Sequence, residues 1–446
     1  MSLNVKPSTS TSSLVLVSLG TALVLITYVT PMATVPATAA DLGAGPATRA
    51  WILSSMSVGL AATLLAAGVL GDTHGRRRVY TAGLGAIGAG ALLCGAAQEP
   101  WLFLVGRLVE GVGGGAVLAC GLAVLAHDHP PGPARLHATS VWGASVGLGI
   151  TAGAVLAAAL EVGSGWREAY VVTGVAALVL LVPSRTRIRE SSASRARRVD
   201  RVGLVLLAAA ATSIVSALTQ GRDGIDGTTL ALVVVAVAAS VALVVVESRA
   251  PDPLVDPGLL AAPGFRVATL GSFTLGLGII GMSSYVPTIV QTGLGADLWT
   301  GALLVAGWSG TSVVTAYGVR HLPRQPSAAS MLAVVGVAQL TGYGLTDTSS
   351  PWRLMVPMVL CGLATGVLNA TLGREAVASV PADRAAMGSG ANNTARYLGA
   401  ACGITLFVVV ATHAGTPVDG WNVAVLFSAT LTSAGAAAVA LAGRRA

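Results

Sequence analysis

Residues 228–246, TTLALVVVAVAASVALVVV, run for nineteen positions without a charged side chain between Asp226 and Glu247. A helix rises about 1.5 Å per residue, so such a run covers nearly all of the roughly 30 Å of hydrocarbon in a bilayer. Runs of this kind, bounded by charge, Gly or Pro, recur along the chain. Fourteen candidates emerge, at roughly 14–36, 48–70, 79–97, 101–126, 139–160, 167–184, 202–219, 228–246, 267–290, 300–318, 327–345, 353–373, 389–412 and 421–442. Composition agrees. Of 446 residues 54% are hydrophobic and only 10% charged, and the mean hydropathy of +0.76 excludes an ordinary soluble domain. The polar start, Met1 to Ser13 with Lys6, precedes an apolar run longer than a signal-peptide core, so this run reads as an uncleaved first span.

The formal charge of +7 raises nucleic acid as a partner. That reading needs a basic face on a soluble fold. Here the basic residues sit in short loops between apolar runs, and no nucleic-acid partner is expected. The four cysteines, Cys94, Cys120, Cys361 and Cys402, are isolated in apolar runs and read as buried thiols rather than a metal site or disulfide framework.

Basic loops stay on the cytoplasmic side of a membrane. An even number of spans puts both termini together, and with the termini inside, twenty basic residues fall in inside segments, among them Arg76, Arg77 and Arg78 and the cluster from Arg185 to Arg201. Four, Arg49, Arg167, Arg222 and Arg353, fall outside, and Arg107 and Arg396 lie within spans. The expected organisation is a six-helix bundle (1–184), a basic cytoplasmic loop (185–201), two additional helices (202–247), a cytoplasmic linker (248–266) and a second six-helix bundle (267–446). Two such bundles across a midplane cavity alternate access by rocking.

Several segments carry mechanism. Gly68-Val69-Leu70-Gly71-Asp72-Thr73-His74-Gly75-Arg76-Arg77-Arg78 places tight-turning glycines beside an acid and an Arg cluster. Arg107-Leu108-Val109-Glu110-Gly111-Val112-Gly113-Gly114-Gly115 places two charges inside a span, three residues apart on one helical face, where they can pair. Gly143, Gly147, Gly149 and Gly153 recur in the fifth span, ahead of Ala157-Ala158 and Gly165-Trp166-Arg167.

These resemble motifs A, B and C of the major facilitator superfamily. With 253–256 (Pro-Leu-Val-Asp), the stretch from Tyr285 to Gly295, and Asn393-Thr394-Ala395-Arg396-Tyr397-Leu398-Gly399, the best local likeness is to its fourteen-span drug/proton antiporter family. The resemblance implies an all-α integral membrane fold of two six-helix bundles plus two central helices. It implies Asp72 and Arg76 in a gating charge relay. The Arg107–Glu110 pair inside the fourth span reads either as proton coupling or as a static structural ion pair. It departs in several places: Thr73 stands for the usual basic residue, Glu110 for Gln, Gly153-Ala154 for Gly-Pro, Ala157-Ala158 for a later Gly pair, and Thr27 for a first-span Asp nine residues before Pro36. Arg396 is expected either to face the cavity or to make a polar contact between helices, with the second favoured.

With no acid from Thr300 to Gly318, the substrate is expected to be a neutral or anionic, fairly apolar small molecule. The other partners are protons and the lipid bilayer, and the chain is expected to act as a monomer in the cell membrane. There is no P-loop lysine motif and no metal-ligand cluster, and His127-Asp128-His129 before Pro130 reads as a solvated turn, so no cofactor and no enzymatic activity are expected. An importer on the same fold and a non-transporting receptor stay open as alternatives.

Overall fold

The computed structural model describes residues 8–161, 166–193, 200–250 and 257–444. Lys6, Gly165, Arg195, Arg197, Arg198, Arg445 and the segment 253–256, all used above, lie outside the described residues. Every described span is helical: α1 (Ser8–Asp41), α2 (Pro46–His74), α3 (Arg76–Ala96), α4 (Pro100–Asp128), α5 (Pro133–Glu161), α6 (Arg167–Arg187), α7 (Arg201–Gln220), α8 (Gly227–Glu247), α9 (Pro263–Gly293), α10 (Leu298–Gly318), α11 (Ala328–Leu340), α12 (Met355–Ala378), α13 (Ala385–Thr412) and α14 (Pro417–Arg444). Among the described residues, thirteen helices are long and apolar enough to cross a membrane. The exception is α11. The expected span 327–345 stops at Leu340, because Gly342 and Gly344 follow and Gly344 turns the chain at φ +81°.

Helix starts follow local chemistry. Proline opens α2, α4 and α9, where its missing N–H costs nothing. The carboxylates of Asp200, Asp226 and Asp297 accept the N–H of Gly203, Thr229 and Thr300 at 2.9, 2.7 and 2.8 Å, capping α7, α8 and α10. Hydrogen bonds from the N–H and hydroxyl of Thr229, and from the hydroxyl and N–H of Thr300, hold Asp226 and Asp297 below the usual carboxylate range. α9 is interrupted by two π-helical turns, Gly276–Ile280 and Ile289–Gly293.

Apolar burial does not drive helices together inside lipid, so close packing must. Two glycine pairs bring α3 and α4 into backbone contact: a Cβ on Gly83 would stand 2.7 Å from Gly113 O, and one on Gly90 would stand 2.6 Å from Gly106 O. Arg107 and Glu110 lie on the same stretch of α4. Within the first half α1 packs on α5, α2 on α4, and α3 on α4 and α6. Within the second α10 packs on α12, α9 on α13 and α14, and α11 on α14.

The halves meet where α5 packs on α10 and α12, and where α13 packs on α2 and α4. α7 lies along the seam, against both α2 and α13, with Val215 in an apolar cluster with Val58 and Ala401. α8 leans on α7 and exposes Val234, Val237 and Val244.

Candidate functional site: a central cavity between two helix sets

Consecutive spans alternate direction, which gives the bundle a basic end carrying the described termini and an opposite end. At the basic end, Tyr80 near the start of α3 donates to Leu16 O near the start of α1, at 3.0 Å. At the opposite end, Arg167 pairs with Asp41 and donates to Ala97 O at 2.8 Å. The Arg167 hydrogen bond holds Asp41 below the usual carboxylate range.

The basic end is tied across the halves by the turn between α2 and α3. Arg76 Nε donates to Asp72 Oδ1 at 2.9 Å, and both side chains are buried. The same carboxylate accepts the backbone N–H of Ala386 at 3.2 Å and of Met387 at 2.9 Å, in the first turn of α13. An anion at a helix N-terminus meets unsatisfied N–H groups and the positive end of the dipole. Arg76 Nη2 completes the latch by donating to Ala382 O at 2.8 Å.

Gly68 lies against the Ala386 carbonyl, where a side chain would collide, and a Cβ on Gly71 would stand 2.5 Å from Cys120 Sγ. Gly75 takes φ +114°, and a Cβ there would stand 2.7 Å from the Glu190 carboxylate. Glu190 was not singled out from sequence. It accepts the N–H of Arg77 at 2.9 Å and pairs with the Arg77 and Arg78 guanidinium groups at 3.5 and 3.7 Å. Its only sequence signal was membership of a charged loop. Thr73 turns inward on its own helix, donating to Val69 O at 2.9 Å.

In α4, Arg107 Nη1 meets Glu110 Oε2 at 2.5 Å and Thr27 O at 2.9 Å, with both charged side chains fully buried. Thr27 contributes its carbonyl, while its hydroxyl bonds back to Val24 O at 2.8 Å. The pair therefore joins α4 to α1, and neither residue lines the central cavity.

The fifth-span glycines divide between two neighbours. Cβ atoms on Gly149 and Gly153 would press on α1, at 2.7 Å from Leu25 Cβ and 3.0 Å from Ile26 Cα. Those on Gly143 and Gly147 would press on the second half, at 3.0 Å from Ala370 N and 2.7 Å from Ser309 O. Thr151 and Ser309 hydroxyls bond at 2.7 Å across the same seam. This wall is closely packed without the proline.

The central cavity lies between these walls and holds about 850 Å³ of empty space, its mouth included. Tyr28 of α1, Trp142 of α5, Trp308 of α10 and Tyr397 of α13 give it an aromatic lining, with the Tyr28 and Tyr397 rings edge to face at 5.4 Å. No sequence motif marked the two tryptophans or Tyr28. Asn393 lines it and donates to Ser389 O at 3.0 Å.

Arg396 also lines it, is 5% exposed, and has no hydrogen-bond partner for Nε or Nη2. The interhelical contact favoured above for Arg396 is thereby corrected: a turn of α13 aims it at the cavity. Tyr28, Met32 and Ser284 are shared with a second, open space, which reaches Arg222, Thr288 and Thr412 at the opposite end. His127 and Asp128 belong to the last turn of α4, where His127 is exposed, while His129 is buried, so only part of the expected solvated turn meets water.

Comparison with known proteins agrees with this geometry. The chain is 29% identical over 354 residues to an uncharacterised transporter, EfpA, of Mycobacterium tuberculosis, covering 77% of this chain and 66% of that one. It is 28% identical to the cephamycin export protein CmcT of Amycolatopsis lactamdurans, covering 92% and 87%. It thus spans about two thirds of the length of the mycobacterial relative. The crystal structure of the human organic anion transporter MFSD10 superposes with a TM-score of 0.68 at 17% identity, covering 96% of this chain and 99% of that one, a likeness of fold. The family model of the Major Facilitator Superfamily matches residues 17–404, and the chain is a multi-pass membrane protein belonging to that superfamily.

Proposed function

We propose that the protein exports a small drug-like or secondary-metabolite molecule across the cell membrane by alternating access, in exchange for protons, with both termini in the cytoplasm. One observation carries this: a cavity between the helix sets is latched at the basic end by Asp72, Arg76 and the start of α13, and continues toward the opposite end. Basic loops mark the cytoplasmic side. In this orientation the described state is sealed to the cytoplasm, and breaking the latch opens the cavity inward. The six-two-six division is the matching domain scheme, with each six-helix set moving as a body. The relative CmcT is by name an export protein, which supports the direction.

Glu110 is the proposed proton carrier. Protonation removes its charge and its pull on Arg107, whose other hydrogen bond, to Thr27 O, reaches α1. Through α1, which lines the cavity at Tyr28 and Met32, that change reaches the substrate site. The substrate is proposed to be neutral or anionic, and the working unit a monomer.

The test uses everted membrane vesicles of a pump-deficient host holding a pH gradient, with wild type, Glu110→Gln and Arg107→Ala at matched membrane levels. Substrate-dependent collapse of the gradient by wild type, lost in Glu110→Gln, is the expected result. Normal collapse in Glu110→Gln removes the carrier role, and substrate with proton movement in the same direction replaces export with import.

A further inference from the structure

We propose that the transported molecule is an amphipathic organic anion, that Arg396 binds its acidic group in the central cavity, and that Arg222 of the α7–α8 turn forms a second station on the way out. This rests on the export reading and names its substrate class. Among the described residues lining the cavity and the adjoining space, Arg396 and Arg222 are the charged ones and none is acidic. The nearby buried acid, Glu110, is already held by Arg107 on the far side of α1. Nε and Nη2 of the buried Arg396 have no hydrogen-bond partner, as is also true of Arg107, but Arg107 has the Glu110 carboxylate and Arg396 has no ion pair among the described residues. A carboxylate accepts from two guanidinium N–H groups at once and supplies what is missing.

The rest of the lining fixes the remainder of the ligand. Trp142, Trp308, Tyr28 and Tyr397 present ring surface to a flat apolar body, which an inorganic anion would leave uncovered.

Arg222 is placed by the additional helices. The turn that carries it, Gly221–Asp223, is pinned to both halves: Arg222 Nε donates to Thr405 Oγ1 of α13 at 3.2 Å, and Trp51 Nε1 of α2 donates to Gln220 Oε1 at 3.4 Å. Thr405 Oγ1 in turn donates to Leu218 O at 3.2 Å. The helix pair thus holds a cation beside the outer space that Tyr28, Met32 and Ser284 connect to the cavity. An anion leaving Arg396 passes a second positive group before reaching water, which lowers the barrier to leaving the first.

Two dyes on one xanthene scaffold, anionic fluorescein and cationic rhodamine 123, test this by fluorescence anisotropy with the purified full chain. Wild type binds fluorescein the more tightly. Arg396→Gln lowers the fluorescein-to-rhodamine affinity ratio about tenfold or more, the scale of a hydrogen bond to a charged group, and Arg396→Lys restores part of it. Arg222→Gln slows fluorescein export into everted vesicles more than it weakens binding.

A measurement on the unaltered protein guards against misfolded variants: 2-naphthoate displaces fluorescein and 2-naphthamide does so at least about tenfold more weakly. Equal competition, an unchanged ratio in Arg396→Gln, or no fluorescein binding by wild type overturns the proposal. Arg396-dependent binding with neither dye transported overturns the export reading and leaves the anion site standing. Export with an Arg396-independent dye ratio does the reverse.

Discussion

Arg107 and Arg396 are the same chemical group, both buried in membrane-spanning helices, yet their surroundings assign them opposite tasks. Arg107 has a carboxylate three residues along its own helix and a carbonyl on α1, and it is walled off from the cavity. Nε and Nη2 are without hydrogen-bond partners on both arginines, but only Arg396 lines the cavity, and it has no ion pair among the described residues. A buried charge with a carboxylate partner fits the scaffold or a switch within it, whereas one lining a space without acids fits the binding role proposed for Arg396. The difference arises from what neighbouring helices present, not from the residue.

The comparison breaks most sharply by removing one partner. Arg107→Ala strands the Glu110 carboxylate in a dry interior, and the expected loss is about 3–5 kcal/mol of stability, measured as a large drop in detergent melting temperature. The double change Arg107→Met with Glu110→Leu removes both charges together and recovers most of that loss while leaving proton coupling absent. If the double variant is as unstable as the single, the two charges do not act as one unit.

A smaller effect is expected at the latch. Asp72→Asn keeps the shape but gives up the charge that Arg76 and two N–H groups of α13 share, for about 1.5–3 kcal/mol between conformations. A cysteine placed at Ser57, beside the outer space, should then be alkylated more slowly as the opposite state gains population. Unchanged labelling would argue against the latch as the gate.

Gly83→Ala comes next. Its methyl would stand 2.7 Å from Gly113 O, and overpacking of this sort costs about 1–3 kcal/mol, read from the same melting curves.

The smallest stability change belongs to Arg396. Arg396→Met removes a charge whose loss strands no partner, so stability stays level or rises in the absence of substrate. A melting temperature that falls as far as in Arg107→Ala would merge the two arginines into one class.

Much was legible in the chain because lipid imposes a simple rule. Long charge-free runs had to be helices, since no other open structure satisfies backbone groups in hydrocarbon. The Arg107–Glu110 pair was equally local, because three residues along a helix is a fixed geometry. The latch was half legible: Asp72 and Arg76 stood out, but their acceptors and donors at Ala382, Ala386 and Met387 are more than 300 positions away in sequence. Glu190 was invisible for the same reason, and α11 ended early because two glycines outweighed its apolar continuation.

What the sequence determined by itself was which stretches span the membrane, which charges lie inside it, and which of those charges had a partner on the same helix. Only the tertiary structure decided that Arg396 lines the cavity, that Trp142, Trp308, Tyr28 and Tyr397 share it, and that α7 lies along the seam between α2 and α13 with Arg222 at its end. Helix formation depends on neighbours along the chain, but cavities are made by faces of different helices, and which faces meet is settled by packing across the whole bundle.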